Sequence, residues 1–62
     1  LELKKKLLAL LTEFDRVEIN KYRDEGPSWW VVGVAGGPNG AVFYGAETIK
    51  EAVGKAYADK FL

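Results

Sequence analysis

Between Gly26-Pro27 and Gly36-Gly37-Pro38 the chain runs Ser28-Trp29-Trp30-Val31-Val32-Gly33-Val34-Ala35 without a single charge. Glycine and proline punctuate turns, and the aromatic and β-branched residues between them favour a pleated strand. Successive side chains of a strand point to opposite faces. One face therefore carries Trp30, Val32 and Val34, the other carries Trp29, Val31, Gly33 and Ala35, and neither is polar. The even-numbered set is the more continuous β-branched run and is assigned to the core; a slip of one residue would reverse the faces and exchange the two tryptophans.

The flanking segments supply the partners of this strand. Residues 16 to 23 alternate, with Val17 and Ile19 on one side and Glu18, Asn20 and Tyr22 on the other, as a half-buried strand does. Beyond the central strand, Asn39-Gly40 tolerates the positive φ of a hairpin turn, and residues 41 to 44 read as a short third strand antiparallel to the second. Ahead of the strands, Leu3, Leu7, Leu10, Leu11 and Phe14 recur at helical spacing and predict a helix over residues 1 to 13. Behind them, Thr48-Ile49-Lys50-Glu51 has the spacing of a capping box, and Ile49, Ala52, Val53, Ala56, Tyr57 and Phe61 form a second helical stripe. Gly54 interrupts that helix at about 1 kcal/mol relative to alanine, so it lies on the exposed side or admits a close backbone approach. The reading is one α+β domain over residues 1 to 62, of order α-β-β-β-α. Its three-stranded antiparallel sheet carries two helices packed on one face, because each helix has a single apolar stripe to bury.

Composition narrows the functions open to such a domain. A chain of 62 residues buries only about 60% of its unfolded surface. It has neither cysteine nor histidine, so disulfides and the zinc sites built on those ligands are excluded; no metal or cofactor is expected. The missing cysteines fit a reducing compartment, and a cytoplasmic location is expected. No apolar run approaches the roughly 20 residues that span a bilayer, no signal-peptide pattern is visible, and no membrane partner is expected. Nine basic side chains balance nine acidic ones, whereas phosphate-neutralising proteins usually carry a basic excess.

Nucleophilic catalysis finds no base to pair with Ser28, Thr12 or Thr48, and the carboxylate pairs Asp24-Glu25 and Glu13-Asp15 read as solvated residues beside turns. The chain is not expected to be an enzyme. Gly37-Pro38-Asn39-Gly40 matches a G-x-x-G clamp, yet that clamp joins two helices and this segment joins two strands. Lys4-Lys5-Lys6 reads as a solvated helix face, with contact to phosphate or to an acidic protein as the alternative.

With both helices on the even face, Trp29 and Val31 fall on the open one, with Tyr22 across the first hairpin and Phe43 or Tyr44 across the second. A contiguous apolar patch of this kind marks an interaction site, and tryptophan and tyrosine are frequent binding hot spots. The expected function is a non-catalytic interaction module that binds a protein partner or forms a homodimer through Trp29, Tyr22, Val31 and Phe43. Stacking of nucleic-acid bases on the same aromatic face is a further possibility.

The element order, "EGPSWW" in the first hairpin loop and "TIKEAVGKAYADKFL" opening the last helix resemble a double-stranded-RNA-binding domain over nearly the whole chain. Gly26-Pro27, Thr48, Lys50 and Ala52 occupy places comparable to that family's loop Gly-Pro and Ser-Lys-Lys-x-Ala-Lys run. The resemblance implies RNA binding through Lys4 and Lys5 of the first helix, Gly26, Pro27 and Ser28 of the loop, and Lys50. Ser28 and Trp29 stand where the family has a loop histidine, and Ile49 and Val53 stand where it has lysines. Such departures accompany members that contact protein instead of duplex RNA. The segment "GAETIKEAV" is also similar to the Gly-x-Thr-x-x-Glu-Ala junction of HicB-like antitoxins, with one additional residue before the threonine.

Overall fold

The computed structural model describes residues 2–23, 26, 28–37 and 40–62. Leu1 of the predicted first helix, Asp24, Glu25 and Pro27 of the first hairpin loop, and Pro38-Asn39 of the second turn lie outside the described residues. The element order is α1 (Leu3–Glu13), β1 (Arg16–Tyr22), β2 (Trp29–Gly37), β3 (Gly40–Ala46) and α2 (Ile49–Phe61). The sheet is antiparallel in the order β1-β2-β3, so the strand that is apolar on both faces is the central one.

The two helices are held in different ways. Thr48 caps α2: its Oγ1 accepts from the Glu51 amide at 3.1 Å and donates to Glu51 Oε1 at 3.2 Å. Glu51 in the first turn and Lys60 in the last also complement the helix dipole. By contrast, α1 has no side-chain cap and no acidic residue in its first turn, and it places three lysines near its positive end. An 11-residue helix with such ends is marginal alone, so α1 depends on what its apolar stripe touches.

That stripe enters a core shared by all layers. Leu10 from α1, Val32 and Val34 from β2, Ala46 from β3, and Ala52, Val53 and Ala56 from α2 are buried together. Leu3, Leu7, Phe14, Val17, Trp30, Val42, Tyr44 and Ile49 pack around them. The even-numbered face of β2 is therefore the helix face, as its β-branched run implies. Leu11 departs from the predicted stripe. It lies one residue and about 100° around the helix from Leu10, and like Leu8 it is 52% exposed.

Trp30 shares the helix face but stays outside the fully buried core. It pairs across the sheet with Lys21, whose Nζ sits 5.3 Å from the centre of a Trp30 ring. Gly54 adjoins open space where a side chain would project, so of the two sequence readings the open side holds.

The register settles the strand that the sequence leaves open. Gly37 pairs with Gly40, which alone would set Val34 against Phe43, but a bulge intervenes and Val34 meets Val42. The single extra residue reverses which side chains of β3 share a face with Trp29. Phe43 consequently joins the open face, and Tyr44 turns to the helix face, where its hydroxyl donates to Asp59 Oδ2 at 2.5 Å. Partial burial, together with the hydrogen bond to Asp59 and its charge, pushes the Tyr44 hydroxyl up to about 12.

Candidate functional site

The open face is assembled in cross-strand rows. Tyr22 pairs with Trp29, Asn20 with Val31 and then Gly45, Glu18 with Gly33 and then Phe43, and Arg16 with Ala35. Its three aromatic residues are exposed: Tyr22 56%, Trp29 46% and Phe43 60%. Val31 is half-buried between them. All four residues predicted for a protein contact thus lie on one continuous surface.

Two glycines explain how the rings are held. A Cβ placed on Gly45 would stand 2.6 Å from Trp29 Nε1 and 3.1 Å from Cε2 and Cζ2, so the indole lies across the glycine backbone. A Cβ on Gly33 would stand 2.7 Å from Phe43 Cε1 and 2.8 Å from Cδ1. Each ring rests one face on a neighbouring strand where only glycine leaves room, and turns the other toward solvent. The two rings lean in opposite directions, Trp29 toward β3 and Phe43 toward β2. The glycine seats thus hold both rings against the sheet.

Beyond Phe43 the face drops into a depression of about 190 Å³, lined by Arg16, Glu18, Gly33, Val34, Ala35, Ala41 and Phe43. Its floor is made of small residues. At its rim Arg16 Nη2 and Glu18 Oε1 form an exposed ion pair at 2.7 Å. Sequence reasoning did not identify this depression or the glycine seats, because both depend on the register that the bulge sets.

The residues tied to RNA binding are placed as follows. Lys4 and Lys5 are exposed near the start of α1, Lys50 is exposed in the first turn of α2, Gly26 is exposed, and Ser28 is half-buried just before β2. The pairings Tyr22 with Trp29 and Trp30 with Ala46 put the first hairpin and the start of α2 at the same end of the sheet. Pro27 lies outside the described residues. Lys6 is not part of a free basic run, since its Nζ sits 5.8 Å from the Tyr57 ring centre.

Among the described residues no group of three or more potential metal ligands gathers, and no helix is long and apolar enough to cross a membrane. No protein-family model, curated protein or solved structure matches the chain.

Proposed function

We propose that this domain is a non-catalytic interaction module whose open sheet face binds protein, either a separate partner or another copy of the chain. One observation supports the reading above the others: Tyr22, Trp29 and Phe43 are exposed on one face of the sheet, and the Trp29 and Phe43 rings are seated on glycine. A cytoplasmic setting belongs to the same proposal.

The test compares the parent with Trp29→Ser by solution mass across a concentration series and by pull-down from an extract. The parent is expected to associate or to capture a protein, and the variant to lose that contact. Identical behaviour of the two proteins in both assays would contradict the reading.

Duplex-RNA binding is a second reading, carried by the placement of the first hairpin and the start of α2 at one end of the sheet, with Lys4, Lys5 and Lys50 exposed. It predicts affinity for short duplex RNA that falls steeply as salt rises. Absence of binding at low salt removes it.

A further inference from the structure

We infer that the outer edge of β1 takes up one further strand, an extended segment of another protein that lies beneath the overhanging flank of α1. This contact is separate from the open face and does not depend on it.

The two edges of the sheet differ. At β3, a bulge interrupts the register with β2, and Lys55 Nζ donates to the Gly45 carbonyl at 2.7 Å, which puts an ammonium group against that strand. Bulges and lysines are usual devices against strand addition. By contrast, β1 pairs with β2 in unbroken register from Arg16 to Tyr22 and contains neither glycine nor proline. Its charges are engaged within the sheet: Arg16 Nη2 and Glu18 Oε1 lie 2.7 Å apart, and Lys21 leans toward β2, its Nζ 5.3 Å from a Trp30 ring centre. A regular edge presents a row of backbone N–H and C=O groups, and another extended backbone is what satisfies them.

The helices supply the apolar half of the contact. Because α2 touches β2 and β3 equally, its axis lies over the gap between them, about 7 Å from β1 at the usual strand spacing. Neighbouring helices pack at about 8–10 Å, which carries α1 to the line of β1 or just past it. The light contact between α1 and β1 agrees with that placement. Around α1, Lys6 faces α2 through Tyr57, whereas Leu11 and Leu8 stand about 100° and about 160° from the buried Leu10 on the opposite flank. Both leucines are exposed, and so is Ile19 on the helix side of β1. A strand added about 4.8 Å outside β1 lies under this flank, and every second side chain of it meets Ile19 and Leu11.

The same geometry selects the occupant. An antiparallel second copy joined at β1 would bring its own α1 into the space that α1 already fills. A segment with no helix on that side meets no such obstacle. Its chemistry follows from the cleft: about seven residues to match β1, free of proline and apolar at alternate positions. Lys4 shares the flank with Leu8, and Arg23 follows β1 at the same end, because α1 and β1 are joined by Phe14 and Asp15 alone and run in opposite directions. Both are exposed, so an acidic residue at that end of the segment completes the match.

The probe is a synthetic peptide of about nine residues that alternates valine with threonine and carries glutamate at both ends, titrated into the isotope-labelled parent. Heteronuclear spectra are expected to show the β1 amides and the methyl groups of Ile19 and Leu11 shifting to saturation, while the Gly45 amide stays in place. Leu11→Lys and Ile19→Lys, exposed positions on two different elements, are each expected to weaken binding about fivefold or more, with folding established by circular dichroism. Trp29→Ser is expected to leave binding unchanged, and a peptide with a central proline is expected not to bind. Absence of shifts up to about 1 mM peptide overturns the inference. Binding that survives the proline overturns strand pairing, and binding that Trp29→Ser abolishes moves the peptide to the open face and overturns the edge.

Discussion

The helix face and the open face of this sheet are built from the same three strands, yet they treat their apolar side chains in opposite ways. On the helix face, Val32, Val34 and Ala46 disappear beneath Leu10, Val53 and Ala56. The side chains there are aliphatic or small, and together they close-pack. On the open face, the residues directly beneath the rings are glycines, and the large side chains lie across the strands with one side uncovered. The first pattern maximises burial within the chain. The second fixes apolar surface and leaves it available. A domain of this size has little hydrophobic area to spare, and these two aromatic rings keep part of theirs outside the core.

This contrast is open to perturbation, and the largest effect is expected in the core. Leu10→Ala should cost about 2–5 kcal/mol, since it removes the fully buried side chain of a poorly capped helix. A chain of this length has roughly 3–9 kcal/mol of stability in total. Thermal melting by circular dichroism should show a drop of roughly 10 °C or more, or no cooperative transition at all. A melting temperature close to the parent's would mean that α1 does not depend on this packing.

Gly45→Ala probes the other face and should cost about 1 kcal/mol, because the clash falls on the far end of a side chain that can swing away. Its distinctive sign is spectroscopic. The lifted indole of Trp29 becomes more exposed, and tryptophan emission should move to longer wavelength while the fold persists. Unchanged emission would show that the indole does not lie on the glycine.

Tyr44 connects the sheet to α2, and its effect depends on pH. Its hydroxyl ionises near 10 in an unfolded chain and at about 12 in the fold, which therefore favours the neutral form. The contribution is complete below pH 10 and is lost as pH rises toward 12. Parent stability should fall across that window more steeply than that of Tyr44→Phe, as read by denaturant unfolding at several pH values. Equal slopes would indicate that the Asp59 contact contributes nothing.

The smallest expected effect has the opposite sign. Gly54→Ala adds a methyl group into open space in a helix interior and should stabilise the domain by about 0.5–1 kcal/mol. A loss of stability would mean that the glycine serves a close contact after all.

Much of the architecture was legible because periodicity carries it. The run from Trp29 to Ala35 identified the central strand, and the β-branched residues Val32 and Val34 identified its buried face. Thr48 and Glu51 located the start of α2 through a local hydrogen-bond pattern. Periodicity left Phe43 and Tyr44 as alternatives for the open face, because one bulged residue after Val34 changes the pairing of the strand that follows. With that register hidden, nothing in the sequence places Gly45 beneath Trp29 or Gly33 beneath Phe43. Leu11 failed for another reason, since helical spacing admits a wide stripe while the core receives only Leu3, Leu7, Leu10 and Phe14. The aromatic members of the candidate site were therefore visible in sequence, whereas the depression and the ring seats were not.

The central claim is that the open face is the surface through which this domain makes contact. Its most direct test is a dilution series by heteronuclear NMR from about 1 mM to about 10 µM, the range in which a weak dimer dissociates. The account predicts that the Trp29 indole N–H and the Val31 methyl groups shift with concentration, while the Val53 methyl groups in the core do not. Shifts centred on the exposed Leu8, Leu11 and Ile19 of the opposite side would contradict it.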